Sequence, residues 1–281
     1  MIQIVTDSAS DITLKQAEEM NVQIVPLTIL FEDGVCPQET DEDFQIFYEK
    51  LIKENGLPKT SQPTPNKYLE IFRLAKEVGD EVLVITLSGG LSGTVQSAKL
   101  AKDLAGYERI EIIDSKQAIL TQRMLVEYAV KLRDEGKTLD EITALVLKQR
   151  EKLTVFGMLD TLTYLKKGGR IPASMALLGN LLRIKPVIIL KDSVLEQLGK
   201  ARGRKDGLKM LCAQMEQAEI DLSFPVYFGY TLDPEPTKQF QAEMEQKFQL
   251  KNTKLYPVGG VIGTHVGPNC VAVAFAVKDK Q

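Results

Sequence analysis

Residues 82–99 read VLVITLSGGLSGTVQSAK. A β-branched run (Val82, Val84, Ile85) ends in Ser88-Gly89-Gly90-Leu91-Ser92-Gly93-Thr94, and Val95, Ala98, Ala101 and Leu104 then recur at helical spacing. This is strand, glycine-rich turn, helix. Open α/β sheets bind ligands at such turns, because glycines admit a ligand to the backbone and the helix start offers free N–H groups. Ser88, Ser92 and Thr94 add hydroxyls to the same turn. No Lys follows the last glycine, so this is not a nucleoside-triphosphate P-loop, and Gly89-Gly90-x-x-Gly93 lacks the first spacing of a dinucleotide fingerprint. Two readings stay open on these residues alone: a cradle for a small polar head-group, or a tight βα connection with Ser92 as its N-cap.

The rest of the chain narrows the choice. Its 281 residues, 44% hydrophobic and 26% charged with a net charge of −3, fit a soluble α/β protein and give no global attraction to nucleic acid. No apolar stretch reaches the roughly 20 residues of a membrane span, and MIQIVTDSAS enters a strand directly without a signal-peptide layout. Cys36, Cys212 and Cys270 form neither a disulfide framework nor a zinc spacing, so a reducing, cytoplasmic setting is expected. The chain has no Trp and a single His, His265. A His-rich metal site is excluded, and a Ser–His–Asp triad has only His265 to use.

In chain order, Ile2–Thr6 reads as a strand and Asp7-Ser8-Ala9-Ser10-Asp11 as a polar turn, either a solvated helix-capping loop or a cation site. Thr13 caps a helix to about Met20. Val22–Phe31 is a second strand interrupted at Pro26. Asp41 opens an amphipathic helix with Phe44, Phe47, Tyr48 and Leu51 on one face. In Lys59-Thr60-Ser61-Gln62-Pro63-Thr64-Pro65, Thr64 and Pro65 start a helix and leave Thr60 and Ser61 in an extended segment, free to meet a ligand. Ile110–Asp114 is a strand, Ser115 an N-cap for a helix to about Glu135, and Thr138-x-x-Glu141 a capping box. The strand–helix alternation predicts a parallel sheet covered on both faces.

A domain boundary is placed near residue 152, giving an N-terminal α/β domain over 1–152 and a C-terminal α/β domain over 153–281. In the second half, Thr154–Leu159 is a strand, Ala173–Leu182 an apolar helix, and Pro186–Leu190 with Val194–Leu198 a hairpin turned at Lys191-Asp192-Ser193. Val226–Tyr230, Thr253–Val258 and Val271–Val277 are further strands. His265 lies in a glycine- and proline-rich stretch, GGVIGTHVGPN, read as a turn.

Thr60, Ser61, Ser92 and His265 offer hydroxyl and imidazole donors suited to a carboxylate or another small oxyanion. Met175, Leu177, Leu178, Leu181 and Leu182, followed by Val187–Leu190, form either plain core or the wall of an apolar tunnel. At about 0.8 kcal/mol per buried CH₂, a ~14-methylene chain supplies on the order of 11 kcal/mol before entropy losses. Charge-assisted hydrogen bonds contribute only about 1.5–3 kcal/mol each. A chain would therefore dominate affinity while the hydroxyl loops choose the head-group. Lys166, Lys167 and Arg170, and Lys200, Arg202, Arg204 and Lys205, form two basic clusters, either solvated surface or a docking face for an acidic partner or phosphorylated ligand.

VTDSASD, TSQPTP, LSGGLSGTVQSA, IIDSK, LKKGGRI and GTHVGP occur in order along nearly the whole chain. Together they resemble the DegV family of bacterial fatty-acid-binding proteins. The resemblance implies a two-domain α/β fold with a buried long-chain fatty acid. Its carboxylate would be held by Thr60, with Ser61 adjacent, and by Ser92 and His265, with Gly93 and Thr94 as helix-start contacts. It implies a non-catalytic carrier, with no metal and no cofactor. The carrier would present the acid to a separate ATP-dependent fatty acid kinase subunit, which forms an acyl phosphate for phospholipid synthesis. Arg170 and Arg202 are the docking candidates, transient membrane contact is compatible with this role, and no nucleic acid is expected. Asn269 stands where the family often has Gly. The alternative is a subunit or enzyme acting on a small carbonyl or phosphate compound, since the fold is similar to the substrate subunit of dihydroxyacetone kinases. A ligand sensor without a kinase is a third reading.

Overall fold

A computed structural model describes residues 1–54, 57–171 and 184–279. The apolar runs β1 (Ile2–Asp7), β2 (Val22–Val25), β6 (Glu81–Thr86) and β7 (Ile110–Asp114) form an all-parallel sheet in the order β2-β1-β6-β7. Strand alternation divides their side chains between two cores. Val5, Val82 and Val84 pack under α3 (Pro65–Val78) and α4 (Thr94–Ala105), with Tyr68, Phe72, Ala98 and Ala101. Ile4, Leu83 and Ile85 face the other way, toward Leu125, Val126 and Ala129 of α5 (Ile119–Asp134).

A six-stranded sheet follows: β8 (Leu153–Met158), β9 (Ile184–Lys191), β10 (Val194–Arg202), β11 (Val226–Tyr230), β12 (Thr253–Pro257) and β13 (Val271–Ala276). Its order is β10-β9-β8-β13-β11-β12, antiparallel throughout except for the parallel β11–β12 pair. One face is covered by α8 (Gly203–Gln217) and α9 (Glu235–Phe248) through Leu211, Met215, Phe240 and Met244. The other carries Val155, Ala272 and Ala274 into the core that α5 shares with the first sheet. Helix α5 is therefore the layer between the sheets. The fold is mixed α/β, a parallel sheet flanked by helices joined to a mixed sheet.

Several boundaries differ from the sequence reading, each for a local reason. Val22–Phe31 is not one interrupted strand. Pro26 has no N–H for the ladder, and the chain leaves the parallel sheet there. β3 (Thr28–Phe31) instead joins β4 (Gly34–Val35) and β5 (Lys59–Ser61) in a small antiparallel sheet. Ser115 does not cap α5: its hydroxyl accepts from the Gln117 N–H at 3.0 Å inside a turn, and the helix starts at Ile119 after Ala118. Thr64 precedes Pro65 as expected but makes no side-chain cap, whereas Thr13 and Thr138 close capping boxes with Gln16 and Glu141. The stretch around His265 is a helix, α10 (Gly260–Val266), not a turn. The apolar Ala173–Leu182 helix, with Met175, Leu177, Leu178, Leu181 and Leu182, falls outside the described residues.

Candidate functional site

The glycine-rich turn is folded by its own backbone and by two acids, the buried Asp7 and the half-buried Asp114. As β6 ends, Leu87 N–H donates to Asp7 Oδ2 (2.6 Å), Ser88 N–H to the Gln117 carbonyl (2.8 Å) and Gly89 N–H to Asp114 Oδ1 (3.1 Å). Ser88 is fully buried; its hydroxyl accepts from Gly90 N–H and its carbonyl from the Leu91 and Ser92 N–H groups. Ser88 thus builds the turn, and Ser92 is left at its crest, 2.9 Å from the Thr94 hydroxyl. Two glycines are required by close approach. A side chain at Gly93 would run into the Gln62 amide, and one at Gly90 into the Ser193 carbonyl at the tip of the β9–β10 hairpin. Ser92 is not the N-cap of α4; Gly93 holds that position without a side-chain cap.

Opposite this turn, α10 carries His265. Its first turn is fixed where Tyr48 donates to the Val258 carbonyl (2.8 Å), Gly260 N–H donates to Gln38, and the Thr264 hydroxyl donates back to the Gly260 carbonyl. His265 Nε2 lies 3.1 Å from Thr60 Oγ1. Nδ1 is buried without a partner, beside Gly168, where a Cβ would strike it. A buried N–H without an acceptor is costlier than a buried lone pair without a donor. The proton therefore belongs on Nε2, donating to Thr60. Burial, with a smaller contribution from the Arg170 charge, lowers the His265 pKa to about 4, so the ring is neutral at neutral pH. Accepting from Nε2 leaves the Thr60 hydroxyl proton free for a ligand anion.

Thr60 and Ser61 are neighbours on β5, so their side chains point to opposite sides of the strand. Thr60 is the one that meets His265. Arg170 follows α7 (Thr163–Lys167) and donates from Nε to the Leu91 carbonyl (3.3 Å) and from Nη1 to the Gly168 carbonyl (2.9 Å). The polar groups thus form one connected patch: Thr60 to His265, His265 past Gly168 to Arg170, and Arg170 to the turn holding Ser92.

That patch borders a cavity. Thr60, Ser61, Gln62, Ser92, Arg170 and His265 line it. The remaining wall is largely apolar: Leu27 and Ile119 from the first half of the chain, and Val155, Ile188, Leu195 and Val271 from the second sheet. Gly93 and Thr94 do not line it; Thr94 is fully buried behind Ser92. Arg202 is exposed at the end of β10 and does not line the cavity. Cys270 borders the cavity, but its thiol donates to the Val266 carbonyl (3.2 Å), and burial pushes its pKa up to about 12. That makes it packing rather than nucleophile.

The Asp7–Asp11 turn is neither solvated nor a cation cluster. Both acids are buried, and Asp7 accepts from Leu87 N–H, Ala9 N–H and Gln122. Among the described residues no group of three His, Cys, Asp or Glu side chains could hold a metal, and no helix is long and apolar enough to cross a membrane. Sequence reasoning passed over Gln62, whose amide packs on Gly93 and donates to Ser97 (2.9 Å). Its place in TSQPTP, beside two chosen hydroxyls, was the available signal.

A family model described as an uncharacterised protein of the DegV family matches residues 1–278. The chain belongs to the DegV family. A DegV domain-containing protein of Caldanaerobacter subterraneus subsp. tengcongensis is 32% identical over 278 residues, 99% of each chain. A DegV family protein from Thermus thermophilus that binds fatty acid is 32% identical, with a TM-score of 0.86 over 98% of this chain and 99% of that one. A stearic-acid-binding protein from Eubacterium ventriosum is 28% identical, with a TM-score of 0.86 and 99% of each chain covered. DegV proteins thus share with this chain both the mixed α/β fold and its length, and fatty acid binding is a property found among them.

Proposed function

We propose that this chain holds a long-chain fatty acid, with the carboxylate at Thr60, Ser92 and His265 and the chain in the apolar cavity. Residues 1–152 contribute the hydroxyl loops, and 153–281 contribute most of the apolar wall together with His265. The observation that carries the reading is the connected patch of hydroxyl, imidazole and guanidinium groups bordering an otherwise apolar cavity. Neutral His265 orders the Thr60 hydroxyl as a donor, Ser92 supplies a second, and Arg170 adds positive charge at the rim. The chain supplies most of the affinity at about 0.8 kcal/mol per methylene; the patch selects and orients the carboxylate.

In this reading the protein is a non-catalytic carrier that presents the carboxylate to a separate ATP-dependent kinase subunit for acyl phosphate formation, in a cytoplasmic setting. Arg170 stands at the rim that such a partner would meet, and Arg202, exposed at the end of β10, would add positive charge to the docking. A small polar substrate such as dihydroxyacetone is not favoured, because the wall is apolar and His265 Nε2 is engaged by Thr60.

Organic extraction of the purified protein followed by mass spectrometry tests the binding, with about one long-chain acid per chain expected. Protein that carries none and takes up none of a panel of long-chain acids overturns it. Hydroxylamine trapping of acyl phosphate, with kinase subunit and ATP added, tests presentation. Product is expected only when both proteins are present.

A further inference from the structure

The turn that follows β1, Asp7-Ser8-Ala9-Ser10-Asp11, is buried at every residue. Two buried acids in five residues are costly unless something uses them. Asp7 Oδ2 accepts from Leu87 N–H at 2.6 Å, the residue immediately before the Ser88–Ser92 turn. Its Oδ1 accepts from Ala9 N–H (3.0 Å) and Gln122 Nε2 (3.1 Å). Asp11, at a left-handed φ of 54°, presses its carboxyl against Gly259, where a Cβ would stand 2.8 Å from Oδ1 and 3.0 Å from the Phe44 ring. Gly259 is the N-cap residue of α10, the helix that carries His265.

Arg123 does not neutralise Asp11 by contact. Its Nη1 donates to the Asp11 main-chain carbonyl (3.0 Å), Nη2 to Gln16 and Nε to Glu127. Neither Asp11 carboxyl oxygen meets a well-aligned hydrogen-bond donor; the nearest groups that favour its ionised form are the Gly259 N–H and the Arg123 charge. Burial raises the pKa of both acids, Asp11 well above the usual range; at Asp11 the Gly259 N–H and the Arg123 charge oppose the rise and the Asp7 charge adds to it, with Tyr48 near Asp11 and Tyr68 near Asp7. An uncharged Asp11 is the form that such a site accepts, and asparagine matches it in shape.

We propose that Asp7 and Asp11 are positioning residues that act through opposite ends of one buried turn. Asp7 sets the turn bearing Ser92 through the Leu87 N–H, and Asp11 sets α10, and with it His265 against Thr60, through Gly259. One short motif thereby registers the two halves of the patch, which come from segments far apart in the chain. This rests on the reading of Thr60, Ser92 and His265 as the head-group site.

The test needs no fatty acid. His265 is the chain's only histidine, so imidazole ¹³C-labelled protein gives one Cε1–Hε1 resonance whose position and titration report that ring alone. In Asp11→Ala the resonance is expected to move and its midpoint to rise by at least one pH unit from about 4 toward the ordinary 6.5. Asp11→Asn is expected to restore both. Gly259→Ala, pressing the same contact from the helix side, is expected to reproduce the Asp11→Ala shift, and it serves where Asp11→Ala fails to fold. Phe240→Leu, in the core beneath α9, lowers stability without moving His265. For Asp7→Ala, amide exchange over Leu87–Ser92 is expected to quicken at least tenfold, with α10 little changed. An unmoved His265 in folded Asp11→Ala or Gly259→Ala overturns the Asp11 assignment, as does an equal shift in Phe240→Leu. Unchanged exchange over Leu87–Ser92 overturns that of Asp7. Absence of extracted fatty acid would refute the binding reading and leave these results standing.

Discussion

Comparing wild type with His265→Gln turns its half-buried, neutral ring into a measurable dependence of stability on pH. In the folded protein the ring takes a proton only near pH 4, whereas an ordinary histidine does so near 6.5. Between those values the unfolded chain binds a proton that the folded chain refuses, so acidification favours unfolding. The interval is about 2.5 pH units, and each unit is worth about 1.36 kcal/mol, so the wild-type chain loses about 3 kcal/mol from this one group. Gln keeps an amide donor for Thr60 and has nothing to titrate. The stability of wild type relative to His265→Gln should therefore fall by about 3 kcal/mol from pH 7 to pH 4. Subtracting the two urea-unfolding curves at each pH removes the contribution of every other group common to both. The chain has no Trp, so far-UV circular dichroism is the suitable probe. A difference that stays constant with pH would refute a neutral His265 ring held well below its ordinary pKa.

Asp7 is linked with the opposite sign. Burial raises its pKa from 3.8 to about 6, so the folded state holds a proton that the unfolded state has lost. The stability of wild type relative to Asp7→Asn should decline by about 2 kcal/mol as pH rises from 4 to 6, and a rise in that range would refute the assignment. Glu127 on α5 accepts from Arg123 (2.8 Å), Lys254 (3.2 Å) and Tyr227, joining the interlayer helix to β11 and β12. Glu127→Ala strands the buried Arg123 guanidinium and should cost about 3–5 kcal/mol in urea unfolding, whereas a loss under 1 kcal/mol would mean an exposed, screened pair. Thr60→Val and Ser92→Ala should each lower acyl phosphate yield about tenfold or more, one hydrogen bond to a charged group being worth about 1.5–3 kcal/mol. Chain uptake, measured by displacement of a fluorescent fatty acid, should change less; equal losses would contradict the division between chain and head-group.

The elements that the sequence revealed are those whose periodicity is local. Val82–Thr86 is an apolar run closed by one Thr and buried throughout, as a central parallel strand must be, whereas Ile110–Asp114, on the sheet edge, carries Glu111 and Asp114 among its isoleucines. Thr13 and Thr138 carry their capping partners three residues on. Val22–Phe31 misled because an apolar run does not say which sheet it joins, and only the missing Pro26 N–H divides it. The stretch around His265 misled because glycine and proline on both sides of it read as a turn. A side chain at Gly263 would run into Tyr48 and Phe47, so there the glycine lets α10 lie close on α2 (Asp41–Lys53), and packing overrides helix propensity. At the site, Thr60, Ser92 and His265 were legible as unusual donors in otherwise apolar surroundings. Asp7 and Asp11 were not, since an acid in a turn is ordinarily at the surface, and only tertiary burial tells these two apart.

The position of β13 bears on how the protein comes into being. It is the last strand in chain order, yet it lies between β8 and β11, near the middle of its sheet. Until it arrives, β8 with its hairpin and β11 with β12 are two fragments with bare edges. Val271 and Ala272 of that strand also line the cavity, and His265 stands just ahead of it. A growing chain can fold its parallel sheet early, but it has no closed pocket until its final strand is inserted. Such late, long-range pairing is slow and leaves sticky intermediates. During that interval an apolar ligand would meet exposed strands rather than a binding site.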